Sequence, residues 1–292
     1  VWGAMLVIAG LGLYGLRDVT LGALEYLRKA DRVFLELYTS IVPGFKVEDL
    51  ERLIGKRVTL VRRGDLEGPW LRELIGMAER ELVVLLAPGD PFIATTHVSL
   101  RLEAAKRGVE VRVLPSPSVV NAVSASTGLD FYKFCRPVTI VRPSPGYFPS
   151  TPYRVLRENL ARGLHTLFLL DLDVERGYAM TASEAVDVLL ELERREGGDV
   201  LGEDALLVAV ARATSHDEVV AAFTPTQRPD LGEPPHILVV PGLLNAVEAE
   251  ALQTLAGAPA DLVKRWCSKV SALVASGPFR QSNNDSRCAR LI

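Results

Sequence analysis

The chain has 292 residues, 48% of them hydrophobic, with a net charge of −3 and a pI of about 5.9. That length suits one large or two ordinary domains with a sizeable core. No basic block or stripe stands out, which argues against a nucleic-acid partner, and no apolar run approaches the ~20 residues that a membrane helix needs. Cys135, Cys267 and Cys288 lie far apart, and His97, His165, His216 and His236 are equally scattered. This usage predicts a reducing, cytoplasmic setting and no metal site.

In chain order, the apolar start at residues 1–9 lacks a basic leader and runs into glycines. It reads as a first buried strand (5–9) rather than a signal core. A helix follows over 20–30 with Thr20 as its N-cap, then strands over 32–37 and 57–61. Residues 69–80 predict a helix and 82–86 a strand, with a further helix over 96–106 and a strand over 111–114. Such alternation predicts a parallel sheet covered by helices. Pro115-Ser116-Pro117-Ser118 breaks the pattern, and 136–152, with five prolines, reads as loop. Beyond it come a helix over 153–162 and a strand over 166–170. A helix over 181–195 is opened by a Thr181–Glu184 capping box and closed by Gly197-Gly198. Strands are expected over 205–210 and 237–240, and helices over 246–255 and, more weakly, 262–274. The polar stretch after Ser276 is expected to be disordered.

The fold expected is therefore two α/β domains, a parallel-sheet domain over 1–114 and a mixed-sheet domain over 115–262, meeting near Pro115 with a cleft between them. Residues 263–292 form a helical and then disordered tail.

Ala87-Pro88-Gly89-Asp90-Pro91-Phe92 leaves the apolar run 82–86 directly. Open α/β sheets bind ligands at the carboxyl ends of their strands, so a glycine and a lone carboxylate stand where a ligand is kept. No Lys-Ser or Lys-Thr follows, which excludes a P-loop. Asp90 reads as a ligand contact, or as an acid bonding its own turn. Gly10-Leu11-Gly12-Leu13-Tyr14-Gly15 matches the dinucleotide pattern, with Glu36 placed as a ribose-binding acid. In that motif the helix starts at the glycines, whereas here residues 16–19 intervene before Thr20, so the anion site is missing. His97 reads as a surface or capping residue, and Asp171 and Asp173 as solvated loop acids rather than a dyad. Ser116 and Ser118 lack a nucleophile-elbow pattern. Cys135 reads as a packed or idle thiol, Arg212 as a structural ion-pair partner or a substrate contact, and His236 as the opening of a strand. With no triad and no phosphate loop, the pattern suits chemistry in which a cofactor brings the reactive group.

The ordered segments Gly10-Leu11-Gly12-Leu13, Pro88-Gly89-Asp90-Pro91, Ala94-Thr95-Thr96-His97 and Pro115-Ser116-Pro117-Ser118 recur with Arg162-Gly163-Leu164-His165-Thr166-Leu167, Met180-Thr181-Ala182, Ala211-Arg212-Ala213 and Pro234-Pro235-His236. Together, over about residues 5–258, they resemble the archaeal diphthine synthases. That family belongs to the tetrapyrrole-methylase-like class of S-adenosylmethionine-dependent methyltransferases. The resemblance implies trimethylation of the amino group on an amino-carboxypropyl-modified histidine of elongation factor 2, with S-adenosylhomocysteine as by-product. It also implies a cytoplasmic homodimer with the cofactor in the interdomain cleft. The implied cofactor contacts are Leu13, Asp90, Ile93, Ser118, Val119, Leu170, Ala213 and His236. No catalytic residue is assigned. His97 and Asp90 are the weak candidates for the base that deprotonates the amine, with solvent as the alternative. The competing readings are a small-molecule (tetrapyrrole-like) methylase of the same fold, an NAD(P)-linked oxidoreductase, and a non-catalytic nucleoside sensor.

Overall fold

The computed structural model describes residues 3–276. The disorder expected after Ser276, and Cys288, lie outside the described residues. The chain divides into two compact units. The first holds the residues up to Ala122 together with Leu172–Ala179 and Thr214–Asp217, and the second holds the rest.

In the first unit, β1 (Met5–Gly10), α1 (Leu21–Lys29), β2 (Arg32–Glu36), α2 (Val47–Ile54) and β3 (Thr59–Val61) follow one another. Then come α3 (Arg63–Leu66), α4 (Leu71–Ala78), β4 (Leu82–Ala87), α5 (His97–Lys106) and β5 (Val111–Leu114). The strands form one sheet in the order β3-β2-β4-β1-β5, and every pairing in it is parallel. β1 and β4 are buried along their whole length, as continuous aliphatic runs require when helices cover both faces. One face packs Leu27, Leu35, Leu50 and Leu86, and the other Ile8, Leu74, Leu85 and Leu100. Thr20 Oγ1 accepts the Ala23 N–H at 3.1 Å, so α1 starts at its expected cap, well past the glycines.

α6 (Val119–Thr127) contains the division between the units. The chain continues with β6 (Val138–Ile140), α7 (Thr151–Leu160) and β7 (Thr166–Leu170). A short hairpin, β8 (Leu172–Asp173) with β9 (Tyr178–Ala179), belongs to the first unit. Next come α8 (Ala182–Glu196), β10 (Leu207–Ala211), β11 (Val219–Phe223), β12 (His236–Val240), α9 (Ala246–Leu255) and α10 (Ala260–Ser276). The second sheet runs β11-β10-β12-β7-β6 and is mixed. β6 joins β7 in parallel, and the other pairs are antiparallel. The alternation of helix and strand thus yields the two kinds of sheet expected.

Several elements depart from the sequence reading. β6 lies inside the stretch read as loop, a three-residue edge strand between Pro137 and Pro143. α2, α3, α6, β11 and the β8–β9 hairpin were not anticipated. α6 begins with two valines, yet its start is held by Asn121, whose Oδ1 accepts the Ser118 N–H at 2.8 Å. The Thr181–Glu184 capping box of α8 forms as expected.

α10 is integral to the second unit. Trp266 is fully buried, and its Nε1–H donates to the Pro241 carbonyl at 2.9 Å. Trp266→Ala is expected to cost about 3–5 kcal/mol, by the lost burial and the cavity left behind. Urea unfolding of the purified protein checks this.

Candidate functional site

In the first unit, three loops leave the carboxyl ends of the adjacent strands β4, β1 and β5. They are fastened to one another by backbone and carboxylate. Gly12 and Gly89 exchange both hydrogen bonds, Gly12 N–H to Gly89 O at 3.2 Å and Gly89 N–H to Gly12 O at 2.8 Å. The approach excludes side chains. A Cβ on Gly10 would lie 2.4 Å from the Ser116 Cβ and 2.5 Å from the Gly89 carbonyl oxygen. Gly12 has φ +74°, and a Cβ there would meet the Asp18 Cβ at 2.1 Å.

Asp18 is the residue that sequence reasoning missed. Its Oδ2 accepts the N–H groups of Leu13 at 2.8 Å and Tyr14 at 2.7 Å. These are donors that a dinucleotide pyrophosphate would need, and a carboxylate already fills them. The dinucleotide reading therefore fails on charge as well as on the late helix start. Glu36, its supposed ribose acid, is fully buried, where Oε2 accepts the N–H groups of Tyr38 and Thr39.

Asp90 bonds its own turn, one of its two expected readings, and also reaches the next loop. Oδ1 accepts the Phe92 N–H at 2.9 Å, closing its own turn, and Oδ2 accepts the Ser116 N–H at 3.2 Å. Ser116 Oγ in turn donates to the Asp18 carbonyl at 3.1 Å. Leu13, Asp90, Ile93, Ser118 and Val119 are thus brought onto three joined loops of one unit, with the Ile93 side chain exposed.

His97 corrects its expected place. It is 2% exposed, at the first position of α5. Its Nδ1 bonds the Pro91 carbonyl at 2.8 Å, so Nδ1 carries the proton. Burial pushes its pKa down. With Nδ1 committed and Nε2 turned to Glu36, it is not placed as a base for an incoming amine.

In the second unit, Leu170 ends β7, Arg212 and Ala213 follow β10, and His236 opens β12. β12 runs antiparallel between β7 and β10, so all of these lie at the same end of three neighbouring strands. His236 Nδ1 accepts the Ala182 N–H at 3.2 Å, which puts its proton on Nε2. That Nε2 is buried and has no hydrogen-bond partner among the described residues. Burial lowers the ring's pKa, so it is neutral. Arg212, with φ +49°, holds the loop before β12 by donating to the carbonyls of Leu231 and Glu233. Asp171 Oδ2 accepts the Arg142 N–H, tying the end of β7 to the chain leaving β6, and Asp173 Oδ1 accepts the Arg176 N–H of its own turn. Cys135 is half-buried.

His165, from the Gly-Leu-His-Thr-Leu segment, is wholly buried. Nε2 bonds Glu248 Oε1 at 2.8 Å, and Nδ1 accepts the Gly242 N–H at 2.8 Å. Glu248 also takes Lys133 and the N–H groups of Asn245 and Asp130. This motif residue is a structural tie.

Residues 5–227 match the family described as Tetrapyrrole (Corrin/Porphyrin) Methylases. The chain belongs to that family, and it is a methyltransferase. A diphthine synthase of Methanocaldococcus jannaschii is 42% identical over 255 residues, covering 86% of this chain and 98% of that protein. One of Methanococcus aeolicus is 39% identical over 253 residues, with the same coverage. A crystal structure of a diphthine synthase superposes with a TM-score of 0.80 at 36% identity, over 89% of this chain and 99% of that one. Within the methylases, the chain is thus similar to diphthine synthases along nearly their full length.

Burial pushes the Glu248 carboxyl up, but hydrogen bonds from His165, Lys133, Asn245 and Asp130 outweigh it and hold the pKa at about 2. A depressed folded pKa stabilises above the unfolded value, and the gain is lost as pH falls through the folded one. The native protein is expected to exceed Glu248→Gln by about 3 kcal/mol at neutral pH. The gap should close from about pH 4.5 down towards pH 2. Denaturant titrations of both proteins across that range check the direction.

Proposed function

We propose that this chain methylates, three times, the amino nitrogen of an amino-carboxypropyl-modified histidine in elongation factor 2. The methyl donor is S-adenosylmethionine, the by-product is S-adenosylhomocysteine, and the product is diphthine, the trimethylated intermediate of diphthamide synthesis. The observation that carries this reading is the 42% identity to a diphthine synthase over 98% of that protein's length. We place the enzyme in the cytoplasm as a homodimer. Consistent with an aqueous setting, no helix among the described residues is long and apolar enough to cross a membrane.

The residues proposed to hold the cofactor are Leu13, Asp90, Ile93, Ser118 and Val119 of the first unit and Leu170, Ala213 and His236 of the second. Their chemistry fits a ligand that carries no phosphate. The Leu13 and Tyr14 N–H groups are already taken by Asp18, so the loops offer no anion cradle. Asp90 keeps lone pairs free beyond the two backbone N–H groups it accepts, and these suit ribose hydroxyls or a methionine ammonium. The buried His236 Nε2–H, without a partner among the described residues, suits an adenine nitrogen. Leu170 and Ala213 add apolar wall.

S-adenosylmethionine, when bound, supplies a methyl group on a sulfonium, which is already an activated leaving group. The protein's own work is then alignment and exclusion of water, which contributes ~7–11 kcal/mol in favourable cases. His97 is buried with its Nδ1–H held by the Pro91 carbonyl, and the free lone pairs of Asp90 are assigned to the cofactor. We therefore assign the proton of the attacking amine to solvent.

The test is transfer of labelled methyl from S-adenosylmethionine to archaeal elongation factor 2 bearing the modified histidine, with unmodified factor as control. Label on the modified factor alone is the expected result. Label on neither, with cofactor binding intact, would discard the substrate. Asp90→Asn is expected to weaken S-adenosylhomocysteine binding by about tenfold, or about 1.4 kcal/mol, read by titration calorimetry.

A further inference from the structure

Glu36 and His97 are 61 positions apart in the chain, yet both are buried, with Glu36 Oε1 3.8 Å from His97 Nε2. Neighbouring strands bring them together. Glu36 ends β2, which pairs with β4, and His97 opens α5 after the loop that leaves β4. Three observations set this pair apart from a packed ion pair. His97 Nε2 has no hydrogen-bond partner among the described residues. His97 Nδ1–H is bound to the carbonyl of Pro91, the residue after Asp90. The distance of 3.8 Å is longer than a hydrogen bond, and a proton between the two atoms would favour its closing.

We propose that Glu36 and His97 are a proton-dependent positioning pair for the loop at residues 90–93. With one proton shared between Oε1 and Nε2, the ring is held from both sides, and the Pro91 carbonyl is held with it. When the pair loses that proton, a carboxylate faces an imidazole lone pair and the ring is held at Nδ1 alone. The other groups around the pair are accounted for. Glu36 accepts from Tyr38 N–H, Thr39 N–H and Thr39 Oγ1. Arg63 acts on Glu36 and sits 5.1 Å above the Tyr38 ring, Glu67 acts on His97, and Glu67 and Glu175 act on Tyr38.

The direction follows from the titration. Burial raises the Glu36 carboxyl to about 7, against the opposing bonds from Thr39 and Tyr38, while burial lowers His97. The pair therefore sheds its last proton as pH rises through about 7. The loop is better held below that pH and looser above it.

This inference rests on the reading that Asp90 and Ile93 contact the cofactor. The test is calorimetric binding of S-adenosylhomocysteine to the full chain between about pH 6 and pH 8.5, spanning the titration. Glu36→Gln places an amide N–H towards Nε2 at every pH, so its affinity should vary less with pH than the native protein's, by about fivefold across the range. His97→Asn keeps a donor near Nδ1 but has nothing facing Glu36, so it should sit at the native high-pH affinity throughout. Nitrogen-detected NMR of the His97 ring should show a midpoint near 7 that Glu36→Gln removes. Native, Glu36→Gln and His97→Asn proteins with the same pH profile would overturn the inference, provided Asp90→Asn weakens binding. If Asp90→Asn also binds as the native protein does, the reading of the loop has failed and the inference falls with it.

Discussion

Two glycines, Gly12 and Gly89, bonded to each other through both backbone groups, set the floor on which the first unit's loops rest. The pairing brings two strand ends closer than any side chain allows, since a Cβ at Gly10 would fall within 2.5 Å of the Gly89 oxygen. Asp18 then closes the loop after β1, and Asp90 ties the loop after β4 to the turn at Ser116. All of these ties lie within the chain itself. Loops tied to one another in this way have the cost of their ordering met in folding.

The carboxylates that look chemically promising are mostly internal acceptors. Asp18, Asp90 and Asp173 each bind backbone N–H groups of a turn, Asp171 binds the backbone N–H of Arg142 beyond β6, and Glu248 gathers two backbone N–H groups, a lysine and a histidine. An unpaired backbone donor in a tight loop is costly, and a short acid is the side chain best shaped to meet it. Glu36 differs, because one of its oxygens also faces a ring nitrogen that has no partner among the described residues.

The buried strands β1, β4 and β12 were legible because continuous aliphatic runs have little other use in a chain of this composition. The helix starts at Thr20 and Thr181 were legible because caps are local chemistry. β6 was not, since three residues between prolines carry no periodicity and are strand only because β7 lies alongside. α6 was not, because Val119 and Val120 favour strands and the deciding interaction is a side-chain bond from Asn121. At the site, the glycine and Gly-Asp-Pro loops announced themselves. Asp18 did not, because an acid five positions from Leu13 has no pattern until the turn is formed. Neither did the meeting of Glu36 and His97, which strand order alone creates.

The stretch matched to the methylase family as a whole ends at residue 227, nine residues before β12 begins at His236, although the similarity to the diphthine synthases spans 255 residues. β12 is the middle strand of the second sheet, bonded to β10 on one side and β7 on the other. A fragment trimmed to the family match would therefore be two unconnected strand pairs with two raw edges facing each other across a vacant slot. Such edges are templates for pairing with other chains, so the trimmed protein would meet its missing strand in its neighbours and precipitate.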